Sequence, residues 1–300
     1  MKFPLKAVIP AAGTGTRLLP TTKEQPKELL PVFSKSVHGN RLVKPILQLI
    51  FEQLFDYGIR EFYFIGGRNK RMIEDHFSVD YNFIDKLNRE DKSSYAEEMS
   101  DFYDKLSSSH ISWINQSIPK GFGHAVLLAK SLVGNEPFLV HAGDTLILSR
   151  TRRYIYDLIK THDCLQSLST FLVCPVEEPE RYGVITGRQN RKGIIYVESI
   201  IEKPSRPKSN LAIMPVYVFD HLIFSALENT APGLNNEIQL TDGISKLLAS
   251  NKNKVIAVKM NNTDLFADVG NPETYWHALK ITYKQTYSYQ EQRKRSYLFF

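Results

Sequence analysis

Cysteine is nearly absent: Cys164 and Cys174 are the only two in 300 residues. That excludes a disulfide framework and a cysteine zinc cluster. Both lie in or beside apolar sequence, so they read as buried thiols of a protein in the reducing cytoplasm. The eight histidines contain no His-x-x-x-His pair, which argues against a histidine metal site. No apolar run approaches the roughly 20 residues needed to cross a bilayer. Lys2 and Lys6 precede only a brief apolar strand, so neither a signal peptide nor a membrane partner is expected. There is no Gly-x-Ser-x-Gly elbow, hence no sign of a covalent serine intermediate. Repeats and low-complexity tracts are missing too. The charge excess is small, 38 basic against 32 acidic residues for a net +6, and it is spread along the chain. Its densest cluster is Arg293-Lys294-Arg295. With no recognisable nucleic-acid module, the excess suits small anionic substrates rather than nucleic acid.

What is present is a glycine loop behind an apolar strand. Ala7-Val8-Ile9-Pro10-Ala11-Ala12 runs into Gly13-Thr14-Gly15-Thr16-Arg17, with Pro26-Lys27-Glu28 soon after. A buried strand ending in glycines turns its backbone amides outward into a nest for anionic oxygens. An arginine and a lysine nearby suit a triphosphate or pyrophosphate. Two familiar phosphate loops do not fit. A dinucleotide fingerprint needs a third glycine where Leu18 stands, and a P-loop needs Gly-Lys-Ser/Thr.

Strand-like runs at 7–11, 62–65, 111–114, 138–142 and 167–173 alternate with helical patterns at 42–57, 124–132 and 152–161. Such alternation predicts βαβ units and a mostly parallel sheet, with ligands at the carboxyl ends of its strands. A long polar helical stretch covers 80–109. Beyond Pro175 the pattern changes to antiparallel-like strands at 183–186, 194–201 and 213–219, read as a sugar-side subdomain over about 175–220. Helices at 220–228 and 241–250, a strand at 254–258 and a helix at 272–287 follow. The organisation expected is a catalytic domain over 1–270 and a helical segment with tail over 271–300. The end, Tyr297-Leu298-Phe299-Phe300, is apolar enough to dock on the body or on a second subunit.

Asp144, in His141-Ala142-Gly143-Asp144-Thr145, and Asp268, in Phe266-Ala267-Asp268-Val269-Gly270, each follow an apolar stretch and adjoin a glycine. Two carboxylates so placed could hold one Mg²⁺ together with phosphate oxygens, although each alone also reads as a turn or cap. Glu202-Lys203-Pro204 closes another strand and offers an acceptor for sugar hydroxyls beside a cation for phosphate; a solvent-exposed ion pair is the plainer alternative. Gln116 and Lys120-Gly121-Phe122-Gly123-His124 follow the third strand, where glycines let a flat base approach the backbone. His124 reads as a helix-start residue rather than a catalyst.

Together these residues resemble the sugar-1-phosphate nucleotidyltransferase family, and within it the bacterial-type UTP–glucose-1-phosphate uridylyltransferases. The resemblance covers about 6–284. It rests on Gly13–Arg17 with Pro26-Lys27-Glu28, on Gln116 with Gly121-Phe122-Gly123-His124-Ala125, and on Ser209-Asn210-Leu211-Ala212-Ile213 and Asn236-Glu237-Ile238-Gln239-Leu240-Thr241-Asp242. It implies a three-layer α/β nucleotide-diphospho-sugar transferase fold with a mostly parallel, mixed sheet and a smaller sugar-binding subdomain. It implies that Ala11, Ala12 and Gly13 offer backbone to the nucleotide, and that Arg17 and Lys27 face the triphosphate. Glu28, Gln116 and Gly121 would read uracil, Asp144 and Asp268 bind Mg²⁺, Gly183 and Glu202 hold glucose, and Lys203 its phosphate. The implied substrates are UTP and glucose 1-phosphate, in a homo-oligomer, dimer or tetramer. Three features depart from the branch: an insertion at 36–43, Gly143 where proline usually precedes the aspartate, and Pro215 where glycine usually stands. A thymidylyltransferase or another hexose-1-phosphate enzyme remains an alternative, as does a non-catalytic nucleotide-sugar-binding homologue. An NAD-dependent dehydrogenase is disfavoured by Leu18.

Overall fold

The computed structural model describes residues 6–68, 70–149, 153–191 and 193–287. The basic cluster at 293–295 and the apolar end at 297–300 lie outside the described residues, as do Lys2 and Arg152.

The chain begins with β1 (Lys6–Ala11), a hairpin of β2 (Pro31–Lys35) and β3 (Arg41–Pro45), and α1 (Ile46–Asp56). Next come β4 (Glu61–Gly67), α2 (Arg71–His76), α3 (Tyr81–Arg89), α4 (Ser93–Ser107) and β5 (His110–Gln116). The short helices α5 (Phe122–Leu127) and α6 (Lys130–Val133) lead to β6 (Phe138–His141), β7 (Thr145–Leu148), α7 (Tyr154–Leu165) and β8 (Ser169–Pro175). Three long strands follow, β9 (Gly183–Gln189), β10 (Ile194–Glu202) and β11 (Leu211–Phe219). The described chain closes with α8 (Leu222–Glu228), α9 (Leu240–Ser250), β12 (Val255–Lys259), β13 (Leu265–Asp268) and α10 (Pro272–Gln285).

Nine strands make one mixed sheet in the order β5-β4-β1-β6-β11-β8-β12-β10-β9. β5, β4, β1 and β6 are mutually parallel. β11 runs antiparallel to β6 and β8, β12 is parallel to β8, and β10 is antiparallel to β12 and β9. The strands from the region expected as sugar-side thus hydrogen-bond into the same sheet as the phosphate-loop strand. Side-chain alternation builds a core on each face. Ala7, Ile9 and Ala11 of β1 join one core with α1, α4 and α7, while Val8 joins the other with α5, α8 and α9.

The helix expected over 42–57 starts only at Ile46, and Arg41–Pro45 is a strand paired with β2. Pro45 explains the shift: its ring fixes its own φ and drives Lys44 into extended backbone, which a partner strand can use and a helix cannot. The insertion at 36–43 is the tip and outgoing arm of this hairpin. Its tip rests on α4, where Val37 N donates to Glu98 Oε2 at 2.9 Å and the His38 ring meets Glu97. The pattern over 124–132 resolves into two short helices instead of one. The helix expected from 220 begins at Leu222, because Asp220 Oδ1 accepts from Leu222 N at 2.9 Å. α10 is capped by Asn271 and Thr274 in a reciprocal box with Pro272 in the first turn, so Asp268 is not its cap.

A candidate active site between two cavities

The carboxyl ends of β1, β4, β5 and β6 open on one side of the sheet, where ligands of parallel sheets bind. A cavity of about 240 Å³ there is lined by Ala12, Gly13, Lys27, Glu28, Gln116, Gly121, Phe122, Asp144 and Glu237, among others. A second cavity, of about 230 Å³, is lined by Phe122, Thr145, Gly183, Glu202, Tyr217, Thr241 and Asp268, among others. Phe122 belongs to both walls. Ten of the thirteen sequence-nominated residues therefore fall on two adjoining cavities: a phosphate-loop side and a Glu202 side.

The first cavity is ordered by ion pairs. Lys27 Nζ binds Asp144 Oδ2. Burial works against the Lys27 ammonium, yet Asp144, Glu28 and Asp268 override it and hold its pKa above normal. Burial alone would raise Asp144 as well; the Lys27 charge wins and keeps that carboxyl below its ordinary value. Glu28 is 1% exposed, and its Oε2 accepts from Lys70 Nζ at 2.7 Å. Burial still leaves its pKa raised, against the opposing pull of Lys70 and Lys27. Gln116 Nε2 donates to Gly121 O at 3.1 Å and meets His124 Nδ1 at 2.9 Å. Gly121 has φ 98°, and a Cβ there would stand 2.7 Å from Glu237 Cβ, so only glycine fits.

Asp144 and Asp268 lie on paired edges. β7 and β13 are antiparallel with Thr145 opposite Asp268, and Val269 N donates to Asp144 O at 3.0 Å. The Thr145 hydroxyl reaches both carboxylates, at 3.5 Å from Asp144 Oδ1 and 3.3 Å from Asp268 Oδ1. Burial first, and the Asp144 charge second, push Asp268 up to about 6. Two like charges and a hydroxyl, all hard oxygens, suit a divalent cation such as Mg²⁺ that keeps other positions for phosphate and water. Among the described residues, these two aspartates included, no group of three or more His, Cys, Asp or Glu is placed to hold a metal ion.

On the second cavity Glu202 Oε2 accepts from Thr241 Oγ1 at 3.0 Å. A Cβ on Gly183 would lie 2.9 Å from Thr241 Cγ2 and 3.1 Å from Glu202 Oε2, so the strand passes too close for a side chain. Tyr217 lines the same space. Burial and the Glu202 charge raise its phenol well above normal, which keeps it a donor. Lys203 is held at φ 40° with its N–H on Tyr182 O at 3.0 Å, and its Nζ stands 3.4 Å from Glu202 Oε1.

Three nominated residues stand outside both cavity walls. Ala11 is buried behind the phosphate loop. Arg17 is exposed on the turn Thr16–Leu18, with its guanidinium near Gly270. A Cβ on Gly270 would be 2.5 Å from Asp268 Oδ2 and 3.4 Å from Arg17 Nη2, so the glycine leaves room for both. Lys203 is exposed at the rim. Of the departures, Gly143 donates its N–H to Pro10 O at 3.1 Å, a bond proline could not make. Pro215 sits where β11 shifts register against β8, a place that tolerates a missing N–H. Lys70, Thr145, Tyr217, Thr241 and Glu237 were not nominated as site residues, although Thr145, Glu237 and Thr241 lie in stretches the sequence reading singled out. For Lys70 a signal existed: it follows Gly66-Gly67-Arg68 at the end of a buried strand, the same kind of place that nominated Gly13.

The fold and these two cavities define an α/β nucleotide-binding protein with a second, sugar-sized compartment. The family model for nucleotidyl transferases matches residues 6–285. A UTP–glucose-1-phosphate uridylyltransferase of Pseudomonas aeruginosa is 34% identical over 286 residues, covering 94% of this chain and 97% of that protein. One from Streptococcus pneumoniae serotype 4 is 40% identical over 254 residues, covering 81% and 79%. A crystal structure of UDP-glucose pyrophosphorylase complexed with UDP-glucose superposes with a TM-score of 0.79 at 33% identity, over 93% of this chain and 98% of the other. The chain belongs to the nucleotidyl transferase family.

Proposed function

We propose that the protein transfers a uridylyl group from UTP to glucose 1-phosphate, giving UDP-glucose and pyrophosphate. The carrying observation is the Asp144–Thr145–Asp268 cluster, which spans the walls of the nucleotide-side and sugar-side cavities. A phosphate oxygen of glucose 1-phosphate attacks the α-phosphorus of UTP; the bond to the β,γ-pyrophosphate breaks and that group leaves. A phosphate oxygen is already a competent nucleophile. The protein therefore has to position two anions and offset their repulsion, which is where most of the rate resides.

Each nominated side chain has a part. The backbone of Ala12 and Gly13 cradles the nucleotide, with Ala11 buried behind them. Lys27 lies buried among three carboxylates and stays charged to meet the triphosphate. Arg17, whose guanidinium lies with the Asp268 carboxylate near Gly270, takes charge from the departing pyrophosphate. Gln116, Gly121 and Glu28 face the base. Gly183 and Glu202, with the Tyr217 donor, receive the sugar, and Lys203 at the rim takes its phosphate. Asp144 and Asp268 would hold Mg²⁺, which when bound supplies Lewis-acid neutralisation of the phosphates.

The reading carries two more expectations: a homo-oligomer, dimer or tetramer, and residence in the cytoplasm. The second is supported by two cysteines that form no disulfide. The test of the activity is a pyrophosphate-release matrix of UTP, dTTP, CTP and ATP against several hexose 1-phosphates. UTP with glucose 1-phosphate should lead. A dTTP lead would move the protein to the thymidylyl branch, and no turnover with any pair would leave a binding protein.

A further inference from the structure

Lys70 belongs to no motif that nominated the site, yet its side chain pairs with Glu28, a wall of the nucleotide-side cavity. It lies three positions past the end of β4, at the start of α2, 42 residues from Glu28 in sequence. Both side chains are withdrawn from solvent, Lys70 at 11% and Glu28 at 2% exposure. The Lys70 Nζ–Glu28 Oε2 bond of 2.7 Å gives Glu28 its hydrogen-bonded counter-ion, since Lys27 is engaged by Asp144. Glu28 Oε1 is turned instead toward the phosphate loop, 3.9 Å from where a Cβ on Gly13 would stand.

An ionised carboxylate only accepts hydrogen bonds, whereas a protonated one also donates. Uracil offers an N3–H donor and cytosine a bare N3 acceptor. The sign of base discrimination by Glu28 therefore depends on its staying charged and on which oxygen is free. A buried carboxylate without a partner gives up its charge rather than endure the desolvation.

We propose that Lys70 is the positioning residue for base selection: its ammonium offsets the burial of Glu28 in favour of the charged form, occupies one oxygen and leaves the other to accept from the nucleobase. This rests on the reading of Glu28 as the group that faces the base. Lys70 itself need not touch the nucleotide. Its loss should change which base is accepted more than how fast the accepted base reacts.

The experiment measures kcat/KM for UTP and CTP in the full chain with saturating Mg²⁺ and glucose 1-phosphate, for the native protein, Lys70→Met, Lys70→Arg, Glu28→Gln and Lys70→Met/Glu28→Gln. Lys70→Met should cut the UTP-over-CTP preference about tenfold or more, the scale of one buried polar group left mispaired. Lys70→Arg should restore most of it. Because Lys70→Met strands a buried charge and can fail to fold, the double variant, with neither charge, keeps the question open to decision. Its preference should match that of Glu28→Gln alone. An equal loss for both nucleotides in Lys70→Met, with the ratio kept, would overturn the proposal in favour of a general phosphate contact. So would a double variant whose preference differs from that of Glu28→Gln. If Glu28→Gln leaves the ratio untouched, the reading of Glu28 fails first. If Glu28→Gln shifts the ratio while Lys70→Met does not, the role of Lys70 fails alone.

Discussion

The two cavities differ in how they handle polarity. On the nucleotide side the walls carry charges already matched, Lys27 with Asp144 and Lys70 with Glu28. On the sugar side Ile213, Met214, Pro215, Leu240 and Phe266 form an apolar part of the wall, among polar groups that include Glu202, Thr241, Gln239, Arg181, Asp268 and the Tyr217 phenol. The halves of the sheet differ in parallel with this. The nucleotide side opens at the ends of parallel strands, whose amides and loops converge. The sugar side rests on antiparallel β9, β10 and β11, which present side chains. A triphosphate needs fixed charge that does not have to reorganise. A sugar needs shape and a few directed hydrogen bonds. Asp268 belongs fully to neither: it is a wall of the sugar cavity and the electrostatic neighbour of the nucleotide side.

That contrast can be broken at its seam. Asp144→Asn or Asp268→Asn keeps size and removes charge, so kcat should fall by at least about 100-fold. The Mg²⁺ concentration giving half-maximal rate should rise as well. Steady-state rates against Mg²⁺ would show it, and normal rates for both variants at limiting Mg²⁺ would remove these residues from the metal. Next in size, Lys203→Ala should raise KM for glucose 1-phosphate by about tenfold, the worth of one charge-assisted contact, with UTP binding by calorimetry nearly unchanged. Loss of UTP binding with the sugar phosphate still bound would mean the two sides are not separate.

A smaller effect sharpens the same division through stability. Asp268 titrates near 6 in the folded protein against 3.8 unfolded. The folded state therefore holds the extra proton between those values, and stability contributed by this group is lost as pH rises from about 4 to about 6. Removing the charge should stabilise the metal-free protein near pH 7 by about 1–2 kcal/mol, while slowing catalysis. Thermal melts of Asp268→Asn without Mg²⁺ at pH 4 and pH 7 read it directly. Equal shifts at both pH values would attribute the gain to packing instead of charge.

The sequence carried the architecture in its alternation of apolar runs and helical periods. It carried much of the candidate site because several nominated groups stand at or just past strand ends: Gly13 in a glycine loop and Asp144 beside a glycine, Gln116 and Glu202 as the last residues of their strands. Hidden from it were features that depend on partners far along the chain. The strand Arg41–Pro45 looked helical because Leu42 and Val43 keep helical spacing with the residues after them, and only pairing with β2 makes them a strand. Lys70, although it stands near a glycine-rich strand end, acquires its importance from Glu28, and Thr145 from Asp268, pairings that local pattern does not reveal. The sugar-side wall was harder still. Met214, Leu240 and Phe266 read as ordinary core residues until the sheet is assembled around the cavity.

The pairing of β7 with β13 also has a meaning in time. The Thr145–Asp268 contact closes 123 residues of chain, and β12, which fits between β8 and β10, is likewise made late. A chain emerging from the ribosome can form the phosphate loop and its parallel strands long before the second carboxylate exists. Until β13 docks, the growing polypeptide has the cradle for a nucleotide and half of the proposed metal site. Competence thus arrives in one late step, with the last strand of the described chain.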